Sequence, residues 1–321
     1  MIRPLSRCFV TRELPGDAVA RLAAEHDVDV WEGELPPPRD ELLARARGAE
    51  GLLSLLTDRV DAELFEACPE LRAVANMAVG TDNIDLSEAA RRGIAVGNSP
   101  GVLTETTADL AFALILATAR RLVEAAGAVG AGEWRTWEPA GWLGFDVHGA
   151  TLGIVGAGEI GMAVARRAAG FSMEVLLHGR DLAPGRVSLS ELLERSDFVS
   201  LHTPLTPETR GLIGDAELMA MKPTAVLVNT ARGEIVDAGA LQIALEEGRI
   251  AGAGLDVTDP EPLRPDHPLL GAPNLTVLPH IGSASHATRE AMASLAVDNL
   301  LAALAGGPMP HPVSSDAGAP G

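Results

Sequence analysis

Tyrosine is absent from this 321-residue chain, and aromatic residues together make up only 3% of it. That scarcity excludes a stacking platform for bases and removes the phenol as an acid, so any proton donor is another group. Cysteine is nearly missing too. Cys8 and Cys68 offer neither a disulfide framework nor a zinc spacing, and both read as small core residues in a reducing compartment. No apolar run reaches the length of a membrane span: the richest, residues 110–119, lies between Asp109 and Arg120–Arg121 and reads as a buried helix. The first ten residues carry arginines but no long apolar core and no small-residue cleavage site, which predicts a cytoplasmic protein. Cations are short as well. Lys and Arg number 25 against 44 Asp and Glu, a formal net charge of −19 that repels nucleic acid and anionic lipid, so an anionic ligand needs dedicated local donors.

What is present is an α/β pattern, 47% hydrophobic and long enough for two domains. Apolar runs at Cys8–Val10, Val28–Val30, Gly51–Leu56, Ala73–Ala75 and Gly93–Val96 alternate with helical segments at Asp17–Glu25, Arg39–Arg47 and Leu86–Arg92, as in βαβ units on a parallel sheet. One long helix is expected from Thr104 to about Gly127; being apolar nearly all round, it should be buried against its own domain and a partner subunit. Alternation resumes with strands Leu152–Val155, Met173–Leu177, Phe198–Leu201, Ala225–Asn229, Gly254–Val257 and Leu275–Leu278. A last helix, Thr288–Leu304, is placed to return to the first domain. The expected organisation is a discontinuous domain, 1–99 with 286–311, a second domain, 100–285, and a disordered tail, 312–321, rich in small and turn-forming residues.

Gly156-Ala-Gly158-Glu159-Ile160-Gly161 follows an apolar run and opens a helix. In that setting the first glycine permits a tight turn, the second lets a pyrophosphate approach the backbone, and the third lets strand and helix pack closely. Unpaired N–H groups at the helix start favour the negative charge of a dinucleotide. The next strand runs into His178-Gly179-Arg180, with no acid at its tip to hold a ribose 2′-hydroxyl; Arg180 suits the 2′-phosphate of NADP, with NAD the alternative if Asp181 turns inward.

Three downstream groups follow strand-like segments: Arg232, Glu261 and His280. Reduction of a ketone needs a proton donor at oxygen and a cation that orients the substrate; His280 can donate, Glu261 can hold its imidazole, and Arg232 can grip a carboxylate. His280 and His286 are six residues apart, a poor spacing for one metal, so no metal is expected. His202, His148 and His311 read as structural or solvent-exposed.

The segments Asn229-Thr-Ala-Arg-Gly-Glu-Ile-Val-Asp237, Gly254-Leu-Asp-Val-Thr-Asp-Pro-Glu-Pro262 and Pro279-His-Ile-Gly-Ser283 resemble the downstream signatures of the D-2-hydroxyacid dehydrogenase family. Residues 78–85 and 201–209 match further family segments. The resemblance implies two Rossmann-like doubly wound parallel-sheet domains, substrate in the cleft between them, and a homodimer formed through the dinucleotide-binding domain. It implies Arg232 on the substrate's carboxylate and carbonyl, His280 as acid/base and Glu261 as its partner. Amides at Val79 and Gly80, with Asn76 and Ser283, would complete substrate binding. Thr107, Thr230, Ala231, Arg232, Asp256, His280 and Gly282 would line the nicotinamide half, and Thr203, Pro204 and Thr209 the adenosine side, beside Gly156, Gly158, Glu159, Ile160, Gly161 and Arg180. Trp134-Arg-Thr-Trp-Glu-Pro139 is similar to the glyoxylate/hydroxypyruvate reductase subgroup, although the aromatic that some members place two residues after the proline is Gly141 here, with Trp142 following. Another 2-hydroxy acid or phosphite as substrate, or a dinucleotide-sensing co-repressor, are the alternatives.

Overall fold

A computed structural model of the chain describes residues 5–180 and 184–313. The chain divides into two compact units, Met1–Leu103 with Ser283–Gly321, and Thr104–Gly282.

In the first unit, β1 (Arg7–Val10), α1 (Ala18–Ala23), β2 (Asp27–Val30), α2 (Arg39–Ala46), β3 (Gly51–Ser54), α3 (Ala62–Ala67), β4 (Ala73–Asn76), α4 (Leu86–Arg92) and β5 (Ala95–Gly97) build a sheet in the order β2-β1-β3-β4-β5. Every strand pair is parallel. Such a sheet needs both faces covered, and β3 and β4 are accordingly buried at every residue. The short α3 has no sequence signal of its own; the Asp61 side chain starts it by accepting from Leu64 N.

The second unit contains α5 (Thr104–Ala119), α6 (Leu122–Gly130), β6 (Thr151–Val155), α7 (Glu159–Ala168), β7 (Glu174–His178), α8 (Leu189–Arg195), β8 (Phe198–Leu201), α9 (Asp215–Ala220), β9 (Val226–Asn229), α10 (Ala238–Glu246), β10 (Gly252–Leu255) and β11 (Leu275–Val277). Its sheet, again parallel, runs β11-β10-β9-β8-β6-β7. Two apolar clusters form its core. One gathers Leu201, Leu227, Leu241 and Leu255; the other gathers Phe112, Leu114, Ile154 and Val228. The strand order reverses between β6 and β8, the switch point where open α/β sheets leave a crevice at their C-terminal strand ends. α11 (His286–Leu304) then packs on β3, β4 and α1 of the first unit.

Two expectations are corrected. The helix from Thr104 is broken at Arg121, which adopts φ 52°. A continuing helix would bond the Ala119 carbonyl to Val123 N; instead Phe145 N donates to it at 2.9 Å, and a Cβ on Gly144 would stand 2.1 Å from the same oxygen. The piece beyond the break is not buried on both sides, since Leu122, Val123 and Val129 are more than half exposed. Disorder from residue 312 is also too early. Pro312 pairs with Gly97, and Val313 N donates to Val96 O at 2.8 Å, satisfying part of the open edge of β5. Residues 314–321 of the expected tail lie outside the described residues, as does Asp181.

Candidate active site

The glycine loop joins β6 to α7 as the spacing predicts, and close approach explains two of its glycines. Gly156 has φ 103°, and a Cβ there would stand 2.6 Å from the His202 carbonyl. A Cβ on Gly161 would stand 2.1 Å from Gly156 O. Gly158 is the N-cap of α7 and has nothing within 4 Å of its would-be Cβ, leaving its face open above the helix N-terminus. Glu159 is exposed, with Ile160 half-buried behind it; the Glu159 carboxylate accepts from Thr104 Oγ1.

Opposite the loop, the end of β8 supplies His202, Thr203 and Pro204. Burial pushes the His202 imidazole down to about 4, so it stays neutral at physiological pH, with Nε2 2.8 Å from Ser200 Oγ. Thr203 Oγ1 is buried without a hydrogen-bond partner, and so is Thr230 Oγ1 at the end of β9. Buried hydroxyls normally find partners, so two orphaned ones at the ends of β8 and β9, the first beside the glycine loop, are groups that a bound cofactor could satisfy. Together with the open Gly158 cradle they fit NAD(P). Thr209 differs: its hydroxyl donates to Pro204 O at 2.7 Å and accepts from Thr206 N at 2.8 Å, so it folds the loop. Arg180 is exposed at the tip of β7, close enough to Glu208 to help Thr206 hold that carboxyl below its usual range.

The ends of β9, β10 and β11, consecutive in the sheet, lead into Arg232, Glu261 and His280. Buried Asn229 shapes the turn after β9: its Oδ1 accepts from Ala231 N at 3.0 Å and its Nδ2 donates to Arg232 O at 2.8 Å. Arg232 is part-buried and donates from Nη1 to Ala231 O. Gly233 follows, where a Cβ would stand 2.0 Å from the Thr258 carbonyl, so the turns after β9 and β10 touch backbone to backbone. Asp256 N donates to Asn229 O and His280 N to Asp256 O, both at 2.9 Å, tying the three strand ends together.

Glu261 and His280 are brought into contact, Nδ1 to Oε1 at 2.6 Å. His280 sits at φ 56°, a left-handed conformation rare for a histidine. Asp256 holds that turn, its two oxygens each accepting 2.7 Å bonds from Ile281 N and Gly282 N. Burial pushes the Asp256 carboxyl above the usual carboxylate range, opposed by those two N–H donors. A methyl on Gly282 would come within 3.1 Å of Asp256 and 3.4 Å of Thr107, so these three cofactor-side residues also meet.

In the first unit, Asn76 is fully buried and its side chain is spent internally. It donates to Gly80 O and Asn83 Oδ1 and accepts from Ser54 Oγ. These bonds brace the turn that carries the partly exposed Val79 and Gly80. Ser283 precedes α11 and accepts from Ser285 N through its carbonyl. Asn229 and Gly233 carry no functional signal of their own in the sequence, although both stand inside the Arg232 signature.

Residues 112–282 match the family described as D-isomer specific 2-hydroxyacid dehydrogenase, NAD binding domain. A protein named glyoxylate reductase from Korarchaeum cryptofilum (strain OPF8) is 53% identical over 305 residues, 92% of each chain. Among solved structures, a protein from Thermus thermophilus superposes with a TM-score of 0.92 at 52% identity, covering 96% of this chain and 99% of that one. The NADPH-dependent glyoxylate/hydroxypyruvate reductase of Sinorhizobium meliloti, in complex with NADP and malonate, gives a TM-score of 0.83 at 36% identity, covering 96% of both chains.

Proposed function

The chain belongs to the D-isomer specific 2-hydroxyacid dehydrogenase family and is an NAD(P)-dependent dehydrogenase, and from that premise we propose that it reduces glyoxylate to glycolate and hydroxypyruvate to D-glycerate, with NADPH as preferred reductant. The observation that carries this reading is the 2.6 Å contact between Glu261, which follows β10, and His280, which follows β11, with Arg232 following the next strand, β9, in a unit that also holds a dinucleotide-type glycine loop. The name of the Korarchaeum relative and the NADPH-dependent Sinorhizobium enzyme support the choice of acid and reductant, and Arg180 supports the latter from the sequence.

The Gly156–Gly161 loop with Thr203 and Thr230 would hold a reduced nicotinamide dinucleotide, which when bound would supply a hydride for the carbonyl carbon. His280, with Nδ1 engaged by Glu261, presents Nε2 as the nitrogen that gives its proton to the carbonyl oxygen. Arg232 holds the substrate carboxylate and draws charge toward the adjacent carbonyl oxygen as negative charge develops there. Asp256 keeps the His280 turn in place. We also assign a homodimer formed through the second unit, supported by the exposed apolar side chains of Leu122, Val123, Val129, Trp134, Trp137 and Leu143, and a cytoplasmic location.

Initial rates with NADPH and NADH against glyoxylate, hydroxypyruvate, pyruvate and phenylpyruvate test the assignment. Highest kcat/KM for the first two acids with NADPH is expected; preference for phenylpyruvate, or for NADH, overturns the corresponding part. His280→Ala should abolish turnover of both acids and leave cofactor binding intact.

A further inference from the structure

We propose that Asn299 is a positioning residue for the substrate: through Asn98 it ties the C-terminal segment, His311 to Val313, to the turn at Val79 and Gly80, and so sets how tightly the carboxylate is held. This role presupposes the reductase reading and the receipt of the carboxylate by the amides of that turn. Asn299 itself lies on α11, outside every segment assigned to the reaction.

Peptide geometry fixes which way those amides face. In a trans peptide the C=O of one residue and the N–H of the next point in opposite directions. Three successive carbonyls of the turn are claimed by donors at the ends of β4 and β5. Ala78 O accepts from Ser99 N at 2.9 Å, Val79 O from Asn98 Nδ2 at 2.8 Å and Gly80 O from Asn76 Nδ2 at 2.9 Å. The N–H groups of Val79, Gly80 and Thr81 are therefore turned away from those donors, and no acceptor among the described residues takes them.

Two of the three grips come from side-chain amides, and they differ in what backs them. Asn76 is backed locally, by Ser54 and Asn83. Asn98 is backed from the far end of the chain. Its carbonyl accepts from Asn299 Nδ2 at 2.9 Å, and its N–H donates to His311 O at 3.2 Å. Asn299 Oδ1 in turn accepts from His311 N at 2.9 Å, so one fully buried amide closes the triangle. Pro312 pairing with Gly97 and Val313 N donating to Val96 O hold the segment there.

Gly97 leaves the space this triangle needs. A Cβ on it would stand 2.7 Å from Asn299 Cγ and 2.8 Å from Met309 Sδ, displacing the amide. A buried amide is costly unless both its ends are paired, and an apolar side chain could pack α11 on the sheet without that demand. What the amide adds is a fixed Asn98 and, through Val79 O, a fixed Gly80 N–H. A receptor made of backbone N–H groups binds more tightly when folding rather than binding bears the cost of ordering it.

Steady-state kinetics of the full chain with NADPH and glyoxylate, alongside the Kd of NADPH and the urea midpoint, test this role. Asn98→Ala and Asn299→Leu should each raise KM for glyoxylate about tenfold, the scale of one lost hydrogen bond, and leave kcat within about threefold and NADPH affinity unchanged. Both act through one line of contacts, so the double variant should have a KM no higher than the worse single variant. Should Asn299→Leu fail to fold, Gly97→Ala presses on the same amide and carries the same expectations. A lowered urea midpoint with an unchanged KM, or a double variant in which the two KM effects multiply, overturns the proposal. If the wild type turns over glyoxylate and both single variants keep its KM, the positioning role falls and the reductase reading stands. A wild type without glyoxylate turnover removes the reductase reading, and the positioning role with it.

Discussion

Glu261 Oε1 lies 2.6 Å from His280 Nδ1, and this contact engages one imidazole nitrogen and leaves Nε2 as the other. A carboxylate on Nδ1 fixes the orientation of the ring. Glu261→Gln retains an oxygen acceptor but removes the charge. It should lower kcat for glyoxylate reduction roughly tenfold to a hundredfold, within the range of general-acid effects, with little change in NADPH affinity. Steady-state rates with a parallel cofactor titration check this; a kcat within twofold of wild type would remove Glu261 from the mechanism.

Gly233 is where the turn carrying Arg232 meets the turn leading to Glu261. With only 2.0 Å from a would-be Cβ to the Thr258 carbonyl, Gly233→Ala forces two backbones apart, with no flexible side-chain end to give way. The expected cost is about 2–3 kcal/mol of stability from overpacking. Displacing Arg232 from the other reacting groups should also lower kcat/KM by on the order of a hundredfold. Urea denaturation and steady-state kinetics test the two parts separately, and an alanine variant with wild-type kcat/KM would show that the spacing of the turns does not matter.

The orphaned hydroxyls of Thr203 and Thr230 give a prediction with opposite signs in the free and loaded protein. Valine is nearly isosteric with threonine and removes a buried polar group that has no partner, so Thr203→Val and Thr230→Val should leave the free protein equally stable, or stabilise it by about 1 kcal/mol. Each should weaken NADP(H) binding several-fold. Denaturation midpoints measured with and without cofactor decide the matter: a variant destabilised when free means the hydroxyl has a structural partner.

Most of the fold could be read because parallel strands buried on both faces appear as short apolar runs, and the strand-loop-helix setting of Gly156 to Gly161 is local. Arg232, Glu261 and His280 stand out in the sequence because each sits in a contiguous signature. What could not be read depends on contacts between distant segments. The break at Arg121 requires Phe145 N to claim the Ala119 carbonyl, which no helical periodicity reveals. Asp256 resembles a cofactor ligand in sequence, and nothing local reveals that each of its oxygens also accepts a backbone N–H of the His280 turn. Asn76 reads as a substrate contact because it stands near Val79 and Gly80; that its amide braces the turn at Gly80 and Asn83 shows only in the fold.

The exposed apolar side chains of α6 and the following segment predict association. Trp134 and Trp137 are 70% and 79% exposed, an arrangement costly to leave in water when Leu122, Val123 and Val129 are exposed as well. Sedimentation should find a dimer at micromolar concentration, and Leu122→Glu with Val129→Glu should give a folded monomer. A monomeric wild type would dismiss the proposed assembly.

His202 sets an acid limit on stability. Its folded value of about 4 lies below the ordinary histidine value, so the unfolded chain takes up a proton that the buried ring refuses. The contribution is complete above about pH 6.5, declines as pH falls, and is exhausted below about pH 4. The full shift corresponds to ~3 kcal/mol, but His202 keeps some solvent exposure, so about 2 kcal/mol is expected. His202→Asn removes the titrating ring and should flatten this part of the profile. Urea midpoints at about pH 7 and pH 4.5 for the two proteins isolate the effect, because the other titrating groups are common to both. An equal loss in wild type and variant would show that folding does not hold the His202 ring neutral.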